Sequence, residues 1–204
     1  MFQSTKTFEL GSVAFRQWRA KHSHCQYLHG YQLKVKVVFG AKKLDDKNWV
    51  QDFGGLKSIR SELQELFDHR VVVAGDDPEL KSLKELQDSG VLKLTIMETG
   101  VGCEKFAEFV ANFINNKVSD ASGGRVNVVL VELFEHTDNS AVYIIEDSIS
   151  QQLEAYKTSA ETQIDKLPNI SVKAETPKEN PNAASVGPNT SQGIGNMFGG
   201  TRLG

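Results

Sequence analysis

The apolar positions of this chain change period along its length. From Tyr31 to Phe39 they alternate, with Leu33, Val35, Val37 and Phe39 on one side and Gln32, Lys34 and Lys36 on the other. That is the two-residue period of a half-buried strand, and it predicts one over about 32–41. Thr7 to Trp18 carries Phe8, Leu10, Val13, Phe15 and Trp18 with Gly11 interrupting, which predicts a first strand that bends or bulges. After Asp52 the spacing becomes three and four residues: Phe53, Leu56, Ile59, Leu63, Leu66 and Phe67 share one side of a helix. A second helical stripe, Phe106, Phe109, Val110, Phe113 and Ile114, predicts a helix over 103–117. Between the helices, residues 71–98 are less regular, with a charged helical piece near 77–87 and a short strand near 92–97. They read as an insertion. Two strands, 125–134 and 141–146, close the domain across a polar turn.

Strand, strand, helix, helix, strand, strand is an α+β order, and it predicts an antiparallel four-stranded sheet with two helices on one face. Beyond about residue 157 the chain changes character. Residues 166–204 are rich in Pro, Asn, Ser, Thr and Gly, with few large apolar side chains to offset the entropy of ordering. The expectation is a folded domain over 1–157 and a flexible, disordered tail over 158–204. Ile194, Met197 and Phe198 punctuate the end of that tail as a docking peptide would, although a passive tail accounts for them equally.

The 204 residues, 39% hydrophobic and 24% charged, suffice for one good core without a second domain. A net charge of -3 gives no general attraction for nucleic acid. Arg16, Arg19 and Lys21 are the basic residues near the chemistry, better suited to a small anion or to solvent. No apolar run reaches the roughly 18 residues of a membrane-spanning helix. Two cysteines cannot build a disulfide framework, and the N-terminus does not read as a cleavable targeting segment. A soluble, cytoplasmic protein is expected.

The candidate chemistry lies in Cys25-Gln26-Tyr27-Leu28-His29-Gly30-Tyr31 and in Asp68-His69. A thiol, two imidazoles and a carboxylate are the parts that move protons on and off a carbon beside a carbonyl, above all near a Lewis-acidic metal. The first segment enters the second strand, so its reactive groups belong at the rim of a sheet. Asp68-His69 ends a helix, where the partial negative charge of the helix C-terminus favours a protonated imidazole. Glu104 falls in the first turn of the second long helix, and Glu135 just past a strand.

These motifs, in this order, resemble the 6-pyruvoyltetrahydropterin and 6-carboxytetrahydropterin synthase family across about the first 145 residues. The family pattern has a cysteine three residues before Leu-His-Gly-His, then Asp-Phe-x-x-Leu-Lys, Asp-His, Pro-Thr-x-Glu and a late glutamate. This chain has Cys25 with Leu28-His29-Gly30-Tyr31, Asp52-Phe53-Gly54-Gly55-Leu56-Lys57, Asp68-His69, Val101-Gly102-Cys103-Glu104 and Glu135. The close spacing of Cys25 to His29 resembles the bacterial carboxy-forming branch more than the pyruvoyl-forming one.

The resemblance implies a tunnelling fold whose subunits join their sheets into a barrel, a homo-oligomer (a hexamer by analogy) with pterin sites between subunits. It implies a lyase converting 7,8-dihydroneopterin triphosphate to 6-carboxy-5,6,7,8-tetrahydropterin in 7-deazapurine (queuosine) biosynthesis. A pyruvoyl-forming synthase and a metal-poor pterin-binding homologue are the alternatives. Cys25 would be the base, with His69 oriented by Asp68 as its complement. Glu135 would bind the pterin, Glu104 would support the pocket, and Cys103 would form its wall. The family holds zinc through one histidine of the first strand and both of His-Gly-His. Only His29 matches: Tyr31 replaces the last histidine, and Arg19, four residues after Phe15, stands where the first would be. His22, His24 and His29, or His24 and His29 with the Tyr31 phenolate, are the donor sets left to this chain.

Overall fold

A computed structural model describes residues 1–145. The expected tail over 158–204, with its candidate docking peptide, lies outside the described residues. Strand β1 (Phe2–Phe15) turns back through a loop into β2 (His29–Ala41), and the two pair antiparallel along nearly their whole length. The register slips between Glu9 and Gly11, where Gly11 has φ +104°, a conformation glycine tolerates and other residues resist. This is the bulge the interrupting glycine predicts.

Helix α1 (Lys57–Phe67) follows a short 3-10 turn that Asp52 caps, its Oδ1 accepting the Gly54 N–H at 2.8 Å. After α1 come β3 (Arg70–Ala74), α2 (Leu80–Asp88) and β4 (Leu94–Met97). Helix α3 (Cys103–Ala121), β5 (Val126–Phe134) and β6 (Ser140–Ile144) complete the described chain.

The sheet has six strands in the order β4-β3-β1-β2-β5-β6, not the four expected. The predicted antiparallel sheet is present as β1-β2-β5-β6. The insertion adds β3 and β4, which run parallel to β1 and to each other. Strand β3 carries no alternation to read, because Val71-Val72-Val73-Ala74 is a continuous apolar run, as suits a short strand inside a parallel arrangement.

Helix α1 packs against β1, and α3 against β5 and β6. Their apolar stripes meet the inward side chains of β1, β2 and β5, so that Phe15, Phe39, Phe67 and Phe106 are all buried. The Phe106 ring stands edge-on to Phe15 at 5.1 Å and to Phe67 at 5.6 Å between ring centres, which joins both helices to the end of β1. Each such side chain, fully buried, contributes roughly 1.5–3 kcal/mol.

Candidate active site

The inward positions of β2 run Phe39, Val37, Val35 and Leu33, all buried, then Tyr31 and His29, which are half-buried. The face that builds the core thus continues past its end and becomes polar at the sheet rim. His29 lies opposite Phe15 in the β1–β2 register, with ring centres 4.8 Å apart, and Tyr31 stands edge-on to His29 at 5.5 Å. His29 Nδ1 lies 2.8 Å from the Tyr27 carbonyl oxygen, which accepts the proton of that nitrogen and leaves Nε2 as the ring's free acceptor.

Strand β5 repeats this pattern. Val131 and Leu133 are buried, and Glu135, two residues on, is half-buried just beyond the strand. Its N–H donates to the Asn139 carbonyl at 3.1 Å and closes the turn into β6. Tyr31 and Glu135 meet there: the phenol donates a hydrogen bond to the carboxylate. That bond first, then burial and the negative charge of Glu135, pushes the Tyr31 phenol up to about 12.

Two thiols share this neighbourhood. Cys25 lies in a 3-10 turn (His24–Gln26) capped by Ser23, whose Oγ accepts the Cys25 N–H at 3.2 Å. The Cys25 carbonyl accepts the Gln17 N–H at 2.8 Å, which holds the turn against the chain leaving β1. Cys103 opens α3. Burial first, then the carboxylates of Glu135 and Glu104, pushes its thiol up to about 12, so it stays protonated at neutral pH. Cys25 acts electrostatically on both Tyr31 and Cys103. Glu104 is exposed in the first turn of α3. Gly102, ahead of it, has φ +130° and ψ 163°, a region nearly confined to glycine, and a β-carbon there would lie 2.6 Å from Gln17 Nε2. The threonine that the family pattern has at this place does not fit this backbone.

Asp68 and His69 are organised separately. Asp68 ends α1, and its Oδ1 accepts the Ser12 N–H and lies 2.9 Å from His69 Nδ1. The Ser12 amide holds the Asp68 carboxyl below the usual carboxylate range. His69 has φ +56°, donates its own N–H to the Ser12 carbonyl at 2.8 Å, and exposes 84% of its side chain. The pair is thus fastened to the β1 bulge, roughly 10 Å along the strand from Phe15 at about 3.3 Å per residue. Within one chain the structure gathers Cys25, Tyr31, Cys103 and Glu135, while the Asp68–His69 pair stands apart from them.

The residues present do not fit a three-histidine zinc centre. His22 and His24 are exposed in the loop before Cys25, and among the described residues no three His, Cys, Asp or Glu side chains converge as a metal ion needs. Arg19 forms an ion pair with Asp76 and lies over the Trp18 ring, 4.2 Å from its centre. Tyr31 is engaged by Glu135, and a phenol pushed up to about 12 is a poor source of phenolate.

Sequence reasoning missed two contributors. His136 stands 6.3 Å from Tyr31 between ring centres, and its place directly after Glu135 was the available signal. Asp76 and Asp77, in the turn after β3, bind Arg19 and Arg16, and no local pattern announces a pairing across about sixty residues.

A rim of thiol, phenol and carboxylate at the head of α3, on a mixed sheet backed by helices, defines a small-molecule site on a tunnelling-type α/β fold. A family model described as 6-pyruvoyl tetrahydropterin synthase matches residues 4–146. The chain belongs to this family of pterin enzymes, whose members are lyases. It is 30% identical over 121 residues to a 6-carboxy-5,6,7,8-tetrahydropterin synthase of Aquifex aeolicus, covering 58% of this chain and 75% of that protein. A protein of the same description from Rickettsia bellii is 27% identical over 112 residues, covering 54% and 78%. In fold the chain is similar to an uncharacterized protein of Wolinella succinogenes, with a TM-score of 0.62 and 19% identity over 70% of this chain and 97% of that one. The Plasmodium vivax 6-pyruvoyltetrahydropterin synthase follows, with a TM-score of 0.50 and 13% identity over 70% and 98%.

Proposed function

We propose that this chain is a lyase of the 6-carboxy-5,6,7,8-tetrahydropterin synthase type, acting on 7,8-dihydroneopterin triphosphate within 7-deazapurine (queuosine) biosynthesis. The observation that carries the reading is the convergence of Cys25, Tyr31 and Glu135 at one sheet rim. Both curated relatives carry the carboxy-forming name.

Glu135 anchors the pterin. Two carboxylate oxygens match the 2-amino and ring N–H edge through parallel hydrogen bonds, each contributing roughly 1.5–3 kcal/mol. Cys25, as thiolate, removes a proton from the substrate side chain. His69, oriented by Asp68, returns or accepts the second proton, and acetaldehyde and triphosphate leave. The separation of Cys25 from His69 within one chain favours a site completed by a second copy. Strand β1 supplies an edge for such assembly, since it pairs with β3 only over Val13–Phe15 and leaves Phe2 to Glu9 without a strand on that side.

A second reading, a pterin-binding homologue that does not convert its ligand, is favoured by one feature. Tyr31 already occupies part of the hydrogen-bonding capacity of Glu135. Product analysis separates the readings: incubation with 7,8-dihydroneopterin triphosphate should release 6-carboxytetrahydropterin. Cys25→Ala should lower the rate by about 10²- to 10⁴-fold while pterin binding persists. Binding without any product would establish the second reading, and a pyruvoyl product would place the chain with the other branch.

A further inference from the structure

The places where a histidine-based metal site would need donors are committed to other bonds. Tyr31 follows His29 by two residues on the same inward side of β2 and spends its hydroxyl proton on Glu135. Arg19 is held at the other end of the loop, paired with Asp76 and lying over Trp18, whose Nε1–H donates to Asp76 at 3.4 Å. Asp76 belongs to the turn between β3 and α2, so the insertion that widens the sheet is also what anchors Arg19. His29 remains with one free ring nitrogen. A catalytic zinc ion takes three protein donors, and a single imidazole beside a protonated phenol does not supply them.

We infer that this chain holds its pterin without a resident zinc ion, and that the Tyr31–Glu135 hydrogen bond occupies the place a metal ligand would take. The rim is a hydrogen-bonding wall of one imidazole, one phenol and one carboxylate. The inference rests on the pterin reading only for what the wall binds, because its statement about metal depends on the donor set alone.

The test uses the full chain, purified without a metal-affinity tag, exposed to excess zinc chloride and desalted. Zinc is then counted per folded chain by elemental analysis, and 7,8-dihydroneopterin affinity is measured by fluorescence with EDTA and with added zinc. The expected result is less than about one zinc per ten chains, with pterin affinity the same within twofold under both conditions. About one zinc per chain, lost in a folded His29→Ala variant, would overturn the inference, as would pterin binding that appears only with zinc. A zinc-free chain that binds no pterin under either condition supports the donor-set argument and overturns the proposed function instead, so the two failures are distinguishable.

Discussion

Gly11 lies directly against the carboxylate of Asp68: a β-carbon at position 11 would overlap Oδ1, the same oxygen that accepts the Ser12 N–H at 2.9 Å. The bulge in β1 is therefore the seat of the Asp68–His69 pair as well as a bend in the strand.

Gly11→Ala forces a side chain into this contact and into a φ of +104°. The strained backbone costs about 1–3 kcal/mol. Urea unfolding should show a loss of that size. Turnover should fall with it, because relief of the clash moves Asp68 away from Ser12. Unchanged stability would mean that the bulge relaxes and does not fix the pair.

The two thiols should differ in reactivity. Burial and the carboxylates of Glu135 and Glu104 push Cys103 up to about 12, so near pH 8 only about one molecule in ten thousand carries the thiolate there. Iodoacetamide on the native chain should label Cys25 first, and Cys25→Ser should remove the fast phase. Equal rates at both positions would contradict the placement of Cys103 as pocket wall.

Arg16 and Asp77 form a forked ion pair, Nε to Oδ2 at 2.9 Å and NH2 to Oδ1 at 2.5 Å, with the Asp77 side chain fully enclosed. Burial alone would raise the Asp77 pKa, but the Arg16 hydrogen bonds, the Glu79 N–H and the Arg16 charge together bring it below the usual value. A depressed carboxyl stabilises the fold above its unfolded pKa of about 3.9, and the contribution is lost as pH falls through the folded value. Arg16→Met leaves a buried charge unpaired and should cost about 3–5 kcal/mol at neutral pH. The difference from wild type should narrow below about pH 4, where Asp77 takes up a proton.

Tyr31 gives the opposite sign. Its folded pKa, about 12, lies above the unfolded value of about 10, so its contribution is complete below about pH 10 and is lost as pH rises through about 12. In an ultraviolet titration, Tyr31→Phe should delete the last phenol to ionise. If the variant instead loses a phenol that ionises near pH 10, the Tyr31–Glu135 bond is absent in solution.

Much of this was legible in the chain. The alternation of β2, the glycine break in β1 and the three-and-four spacing of α1 and α3 each reflect burial on one face, which a sequence records locally. The site residues Cys25, His29, Tyr31 and Glu135 could be read as strand-end positions for the same reason. Strand β3 could not, because a short run buried within a sheet has no polar side to reveal its period. The engagement of Arg19 by Asp76 was equally hidden, since a charge pairing across a loop and an inserted strand leaves no local pattern.

The sequence by itself determined the antiparallel half of the sheet, the two long helices and the family to which the chain belongs, because periodic burial and ordered motifs are written along the backbone. Only the tertiary structure decided what the polar rim is. Whether Tyr31 faces a metal or Glu135, whether Arg19 points into the site or onto Trp18, and how far the Asp68–His69 pair stands from Cys25 are distances between side chains on different strands. They exist only after β1, β2, β3 and β5 have found their register, and they fix which protons and charges the site presents.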